Sequence, residues 1–124
     1  MTNILDLFSR IFISLLFLIN GYFKVANYDE TLEWMEGYNV PGILLIPAII
    51  LEFAAPILVI VGYKTKIAAF LLAAFCMTTA LIFHTDFSSQ IQITSFLKNI
   101  ALAGGFLLIV VNGAKKYSLD NKKK

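Results

Sequence analysis

The sequence has little charge, one cysteine and one histidine. Of its 124 residues 15% are charged, against about 25% in an average soluble domain. The single cysteine, Cys76, excludes an intramolecular disulfide and a CxxC redox pair, and we expect it to be a small packing residue. One histidine and one cysteine are too few for an ordinary zinc or haem site. There is no phosphate-binding loop, GxGxxG or HExxH pattern, so we expect no metal, flavin or nucleotide site.

Apolar residues dominate instead. They make up 59% of the chain, compared with about 45–50% in soluble domains. They form four long segments, at residues 4–24, 41–61, 67–83 and 91–111. Each segment is long enough to cross a bilayer as a helix, which takes about 17–25 residues. The sequence therefore predicts an all-α integral membrane protein, a single-domain antiparallel four-helix bundle.

The first two predicted spans are joined by the least apolar connection, residues 25–39. Its acidic residues are Asp29, Glu30, Glu33 and Glu36. Trp34 and nearby tyrosines suit the headgroup level of a membrane. The pattern predicts a short amphipathic helix on the membrane surface that Gly37 ends.

Charge is distributed unevenly between the two sides of the predicted bundle. Lys64 and Lys66 lie in the turn between the second and third spans, and five lysines lie in the tail, residues 114–124. The other two loops contain four acids and Asp86. The positive-inside rule then places both termini in the cytoplasm. We interpret the tail lysines as a topology signal beside the lipid bilayer and expect no nucleic-acid partner.

Polar residues interrupt the first span at helical spacing. Arg10, Ser14, Phe17, Gly21 and Lys24 follow one another at steps of four, three, four and three. On an α-helix these positions share one side. Because a charged side chain facing lipid costs about 2.5–3.5 kcal/mol, this stripe should face other helices or a polar cavity.

Four polar residues should lie in the outer half of the bundle. They are Lys24 at the end of the first span, His84 at the end of the third, and Lys98 and Asn99 near the start of the fourth. We take all four as candidate cofactor-binding residues, and His84 and Lys98 as candidate catalytic residues. The alternative is that the lysines extend to the interface and that His84 is an ordinary loop residue.

Two further charged residues should lie deeper. Arg10 is in the first span and Glu52 is near the middle of the second. A carboxylate at that depth requires a partner or a proton. We therefore predict a buried Arg10–Glu52 ion pair, which could serve structure alone.

With these residues placed, the chain resembles the DoxX family of small four-helix membrane proteins over roughly residues 4–113. The resemblance rests on Arg10, on LFLINGYFKV at 16–25, VPG at 40–42, LEF at 51–53, Gly62 with Ala68 and Ala69, FH at 83–84, and FLKNIALAGG at 96–105. Their order along four spans is more specific than any single piece.

The resemblance implies a multi-pass protein of the bacterial cytoplasmic (inner) membrane. The family name is tied to a quinone-linked, thiosulfate-oxidising membrane subunit, and other relatives are linked to catechols, hydroquinones or oxidative stress. Our first hypothesis is a membrane oxidoreductase component acting on or beside quinones or related small aromatics. Quinone is then the expected cofactor, and a soluble or membrane-bound partner would supply electrons.

A second hypothesis is a non-enzymatic membrane subunit, or a small-solute transporter or binding protein. Four spans leave a thin pathway, so independent transport would require a homo-oligomer. The substrate, the electron donor and the oligomeric state are left open by the sequence.

Overall fold

The computed structural model describes residues 1–122, and Lys123 and Lys124 of the predicted tail lie outside them. The helices are α1 (Thr2–Ala26), α2 (Tyr28–Glu36), α3 (Leu45–Val61), α4 (Thr65–Phe83), α5 (Gln90–Asn112) and α6 (Leu119–Lys122). A short 3₁₀ helix, Gly42–Leu44, precedes α3. No strand occurs among the residues described.

Four helical segments are long and apolar enough to cross a membrane: Thr2–Ala26, Gly42–Val61, Thr65–Phe83 and Gln90–Asn112. Their bounds lie within two residues of the predicted spans, which confirms the all-α membrane bundle. Much of the large apolar surface is exposed, as on Phe12 and Leu108. An exposed apolar surface of this extent suits contact with lipid.

α2 lies where the amphipathic helix was predicted. Met35 is its buried residue, and Gly37 is its C-cap. Asp29 and Glu30 lie in its first turn, where negative charge interacts favourably with the helix dipole.

The buried face of α1 consists of Arg10, Ser14, Phe17 and Gly21. This confirms the predicted stripe, since Lys24, the next member, is also 75% covered at its side chain. The face packs mainly against α3, while α4 packs against α3 and most extensively against α5. Small residues allow the close approaches: a Cβ on Gly105 would lie 2.7 Å from Ile13 Cδ1.

The core lies at the centre of the bundle. Phe17, Val59, Leu72, Cys76 and Phe106 are almost fully buried within one cluster. The ring of Phe17 meets that of Phe106 edge-on, with centroids 5.5 Å apart. Cys76 is a free, buried thiol, in keeping with the predicted packing role.

The bundle has two dissimilar ends. The terminal end contains the start of α1, the α3–α4 turn and residues 113–122. The loop end contains α2, the 3₁₀ helix and the α4–α5 loop, residues 84–89. The C-terminal segment, residues 114–122, folds back at the terminal end, where Asp120 N–H donates to the Gly62 carbonyl at 2.7 Å.

Gly62 is specifically required in this arrangement. It ends α3 with φ +73° and ψ 38°, a left-handed conformation that favours glycine. A Cβ on Gly62 would also lie 2.2 Å from Ser118 Cβ, so the C-terminal segment approaches the turn where there is no side chain.

Candidate cavity at the loop end

A cavity of about 540 Å³ opens at the loop end of the bundle. The four spanning helices and α2 contribute to its wall: α1 with Leu16, α2 with Trp34, α3 with Ala48, α4 with Phe75, and α5 with Leu102. Its volume is within the range of about 300–1,000 Å³ that is usual for small-molecule sites. The wall surface is mostly apolar, although nearly half of the lining residues are polar or charged.

All four candidate binding residues line this cavity: Lys24, His84, Lys98 and Asn99. They come from three different helices or helix ends, so the folded chain brings together residues far apart in sequence. Lys98 is exposed and Asn99 is partly buried. Their shared position is a structural finding, whereas their role in binding or catalysis stays a prediction.

Lys24 is paired across the cavity wall. Its ammonium donates to Glu52 Oε2 at 2.6 Å, and the Glu52 side chain is only 2% exposed. The ammonium also lies over the Phe75 ring, 5.4 Å from its centroid. Both ends of this ion pair line the cavity. A charged donor and a charged acceptor are therefore fixed beside an apolar slot.

The predicted Arg10–Glu52 ion pair is wrong. The register of α1 against α3 explains the error. A Cβ on Gly21 would lie 3.4 Å from Glu52 Cβ, so Glu52 packs beside the end of α1. Arg10 is about three helical turns away along α1. Lys24 is one turn beyond Gly21 on the same face, which makes it the partner that Glu52 can reach.

Arg10 instead organises the terminal end. Its side chain is 1% exposed, and its Nε–H donates to Asp6 Oδ2 at 3.0 Å. Nη1 donates to the carbonyls of Val59 and Ile60 at 3.0 and 2.7 Å, and Nη2 donates to the Tyr117 carbonyl at 2.6 Å. Helix carbonyls at a C-terminus have no partner within the helix, so a cation there is well placed.

His84 lies at the outer rim of the cavity. It caps the C-terminus of α4, and its Nδ1 lies 3.2 Å from Gln92 Oε1. Ser88 and Asp86 hydrogen-bond to each other, so the three polar residues of this loop do not form a Ser-His-Asp relay. These hydrogen bonds from Ser88 hold the pKa of the exposed Asp86 carboxyl below its usual value.

An aromatic group closes the wall beside His84. Trp34 stacks on Phe83 with centroids 4.3 Å apart, and Tyr38 meets Phe83 edge-on at 5.0 Å. Trp34 was predicted only as a membrane-surface residue. Its contact with α4 depends on how α2 folds back over the bundle, for which the sequence offers no signal.

Sequence reasoning also missed Asn20 and Glu30, which line the cavity. Asn20 could have been found, because it is four residues before Lys24 and therefore shares its helical face. Glu30 could not, because its position depends on the turn between α1 and α2. Among residues 1–122, no group of three or more His, Cys, Asp or Glu residues is arranged to hold a metal ion.

Comparison with known proteins agrees with this architecture. The DoxX family model matches residues 5–85. The chain is 37% identical over 120 residues to the inner membrane protein YqjF of Escherichia coli K12, covering 94% of this chain and 92% of that protein. It is 32% identical over 126 residues to the inner membrane protein YphA of the same organism, covering 96% and 90%. No solved structure gives a significant match. With four apolar spans and relatives of nearly equal length, this is a multi-pass inner membrane protein, and the chain belongs to the DoxX family.

Proposed function

We propose that the loop-end cavity binds a quinone or a related small aromatic, and that the protein acts as the membrane component of a redox reaction. The observation in favour is that Lys24, His84, Lys98 and Asn99 surround one cavity of about 540 Å³ with aromatic walls. A quinone has a flat apolar ring and two carbonyl oxygens. It needs an apolar slot and hydrogen-bond donors at its edges.

The walls suit the ring of such a ligand. Phe75 from α4, Phe23 from α1 and the stacked Trp34–Phe83 pair line the same space. Aromatic rings favour offset or edge-on contacts with another ring. The aliphatic Leu16 and Leu102 complete a surface that a lipid-soluble molecule would occupy more readily than water.

The polar groups of the cavity suit the carbonyl oxygens of a quinone. The Lys98 ammonium and the Asn99 amide come from adjacent positions on α5 and can donate to a carbonyl oxygen. Lys24 is held by Glu52, so its position is fixed before any ligand arrives. Pre-organised donors reduce the free-energy cost of ordering a site on binding.

Reduction of a quinone to its quinol takes two electrons and two protons. A soluble or membrane-bound electron donor would supply the electrons. His84 is placed to supply or relay protons, because an imidazole can both donate and accept a proton and this residue lines the cavity. The cytoplasmic placement of both termini, which puts the cavity on the outer side, is part of this proposal.

The alternative is a binding protein or subunit without redox chemistry. One observation favours binding over transport: Phe17 and Phe106 fill the bundle centre below the cavity with rings 5.5 Å apart. A packed core on one side of a cavity suits a site that receives a ligand from one end. A small-solute transporter would have to separate this pair.

The proposal is tested by purifying the protein with native lipid and measuring bound quinone. We expect quinone to co-purify with the wild-type protein, and its content to fall at least about tenfold in the double variant Lys98→Ala, His84→Ala, since each hydrogen bond to a charged group contributes about 1.5–3 kcal/mol. The matched control is Lys66→Ala, a lysine at the terminal end that does not line the cavity. Unchanged quinone content in the double variant would contradict the site. Quinone binding without reduction by any electron donor would favour the binding-protein alternative.

A further inference from the structure

A second site is built at the terminal end, opposite the cavity. The C-terminal segment is fixed there by hydrogen bonds with two other parts of the chain, α1 and the α3–α4 turn. Arg10 donates to the Tyr117 carbonyl, and Lys115 N–H donates to Asp6 Oδ2 at 3.0 Å. Ser118 is 4% exposed despite its position near the C-terminus. Burial and internal bonding of this extent show that the segment has a defined position on the bundle.

Asp120 completes the attachment by capping α4. Its carboxylate accepts from Lys64 N–H at 2.8 Å, from Thr65 N–H at 3.0 Å and from the Thr65 hydroxyl at 2.6 Å. The first N–H groups of a helix have no partner within the helix, so this carboxylate satisfies them from outside. The cap of a membrane-spanning helix thus comes from a residue 55 positions later in the chain.

The terminal end is basic because its carboxylates are engaged in internal hydrogen bonds. Asp6 and Asp120 are the acidic residues of this end among residues 1–122, and both accept hydrogen bonds from within the protein. Four of the lysines there have exposed side chains: Lys64, Lys66, Lys115 and Lys116. Since both carboxylates are occupied, the outer surface of this end is positive.

A depression of about 790 Å³ lies between the start of α1 and the C-terminal segment. It is lined by Thr2, Asn3, Lys115, Lys116, Tyr117 and Asn121. These residues carry two ammonium groups, two hydroxyls and two amides, which are donors suited to phosphate oxygens. Tyr117 and the nearby Leu119 have exposed side chains, and both residue types suit the lipid interface.

The position of the depression relative to the membrane indicates the source of its ligand. α1 begins at Thr2 and α5 ends at Asn112, and both helices are long enough to span a membrane. Their ends therefore lie at the level of the lipid headgroups. We propose that this depression binds the phosphate of an anionic phospholipid headgroup, with Lys115 and Lys116 as its principal contacts and the C-terminal segment as the element that positions them.

The test uses the full-length protein in detergent and in nanodiscs, with phosphatidylglycerol as the probe and phosphatidylcholine as the neutral lipid. Native mass spectrometry should show preferential binding of phosphatidylglycerol to the wild type. Because a lysine near an anionic headgroup contributes about fivefold in affinity, Lys115→Gln with Lys116→Gln should weaken that binding by roughly 30-fold. Both side chains are exposed, so the double variant should elute and unfold as the wild type does.

The matched control is Lys64→Gln with Lys66→Gln. It removes the same charge from the same end, but neither residue lines the depression. We expect its phosphatidylglycerol preference to change less than about threefold, because only the overall positive electrostatic potential of this end is reduced. Equal weakening in the two double variants would overturn the proposal, because a diffuse positive surface would then explain the binding.

Two further measurements test the role of the C-terminal segment and distinguish a lipid phosphate from free phosphate. Asp120→Asn retains the four lysines but weakens the attachment of the segment, so it should also reduce phosphatidylglycerol binding, by about three- to tenfold. An unchanged preference in this variant would contradict the role of the C-terminal segment. Inorganic phosphate, tested in detergent at millimolar concentration, should not displace the lipid. Displacement would show a site for free phosphate and overturn the lipid assignment.

Discussion

The terminal end and the loop end each place a buried charge between α1 and α3, and they do so differently. At the terminal end, Arg10 is 1% exposed at its side chain and is surrounded by Asp6 and three main-chain carbonyls. At the loop end, Glu52 has one charged partner, Lys24, whose side chain is 25% exposed and faces a cavity. The Arg10 charge is enclosed by hydrogen-bonding groups of the protein, whereas the Glu52 charge lies beside the cavity.

This difference supports a structural role for Arg10 and is consistent with the binding role that we propose for Lys24, which lies on the same helix face. Arg10 joins α1, the C-terminus of α3 and the C-terminal segment, so its hydrogen bonds connect parts of the chain that are distant in sequence. A buried ion pair by itself is weak evidence for stability, because desolvation can exceed the Coulombic attraction. Glu52 and Lys24 are paired at the cavity wall, where the proposed ligand would contact them.

The largest expected effect is from Arg10→Met. It removes four hydrogen bonds and leaves Asp6 and three carbonyls without their buried donor. We expect a loss of about 3–5 kcal/mol in the free energy of unfolding, the usual range when one partner of a buried charged network is deleted. The measurement is reversible unfolding in detergent micelles, followed by circular dichroism.

The matched change at the loop end is Lys24→Met, which leaves the Glu52 carboxylate facing the cavity. Because one hydrogen bond is lost here and four are lost in Arg10→Met, we expect a smaller loss, about 1–2 kcal/mol. Quinone content should fall at the same time. If Lys24→Met destabilised the protein as much as Arg10→Met, the distinction between a structural end and a binding end would be wrong.

An effect of similar size, confined to the terminal end, is expected from Gly62→Ala. Alanine at φ +73°, with its Cβ 2.2 Å from Ser118 Cβ, requires the C-terminal segment to move. The strain is on the order of 1–3 kcal/mol. Limited proteolysis should cut the C-terminal segment faster than in the wild type. Gly104→Ala is the control, since a Cβ there meets nothing within 4 Å, and its cleavage rate should not change.

The smallest effect concerns the loop end. Asp86 is exposed, and hydrogen bonds from Ser88 lower its pKa. A lowered pKa means that this interaction is present above the usual aspartate range, near pH 4, and is lost as the pH falls through the lowered value. Ser88→Ala should therefore raise the pKa of Asp86 towards that range, as measured by ¹³C NMR of labelled aspartate. The thermal midpoint at pH 7 should not change, because the group is on the surface. An unaltered titration would show that the Ser88 hydroxyl does not donate to Asp86 in solution, since the variant keeps the main-chain N–H bond.

The spacing of residues along α1 predicted which side chains would be buried, because helix geometry alone fixes which positions share a face. The candidate binding residues Lys24, His84, Lys98 and Asn99 were grouped correctly at one end, because antiparallel topology assigns each residue a depth. The ion pair was assigned wrongly. Depth within a span cannot distinguish Arg10 from Lys24 as the partner of Glu52 unless the register between the helices is known.

The sequence by itself determined the membrane location, the four spans, the amphipathic α2 and the polar stripe of α1. These follow from hydropathy, length and helical period, which act locally along the chain. Only the tertiary structure decided that Gly21 brings Glu52 beside Lys24, that α2 stacks Trp34 on Phe83 at the cavity wall, and that the C-terminal segment returns to Arg10. Those contacts depend on helix register and on the direction of turns, and both are set by side-chain packing between segments far apart in sequence.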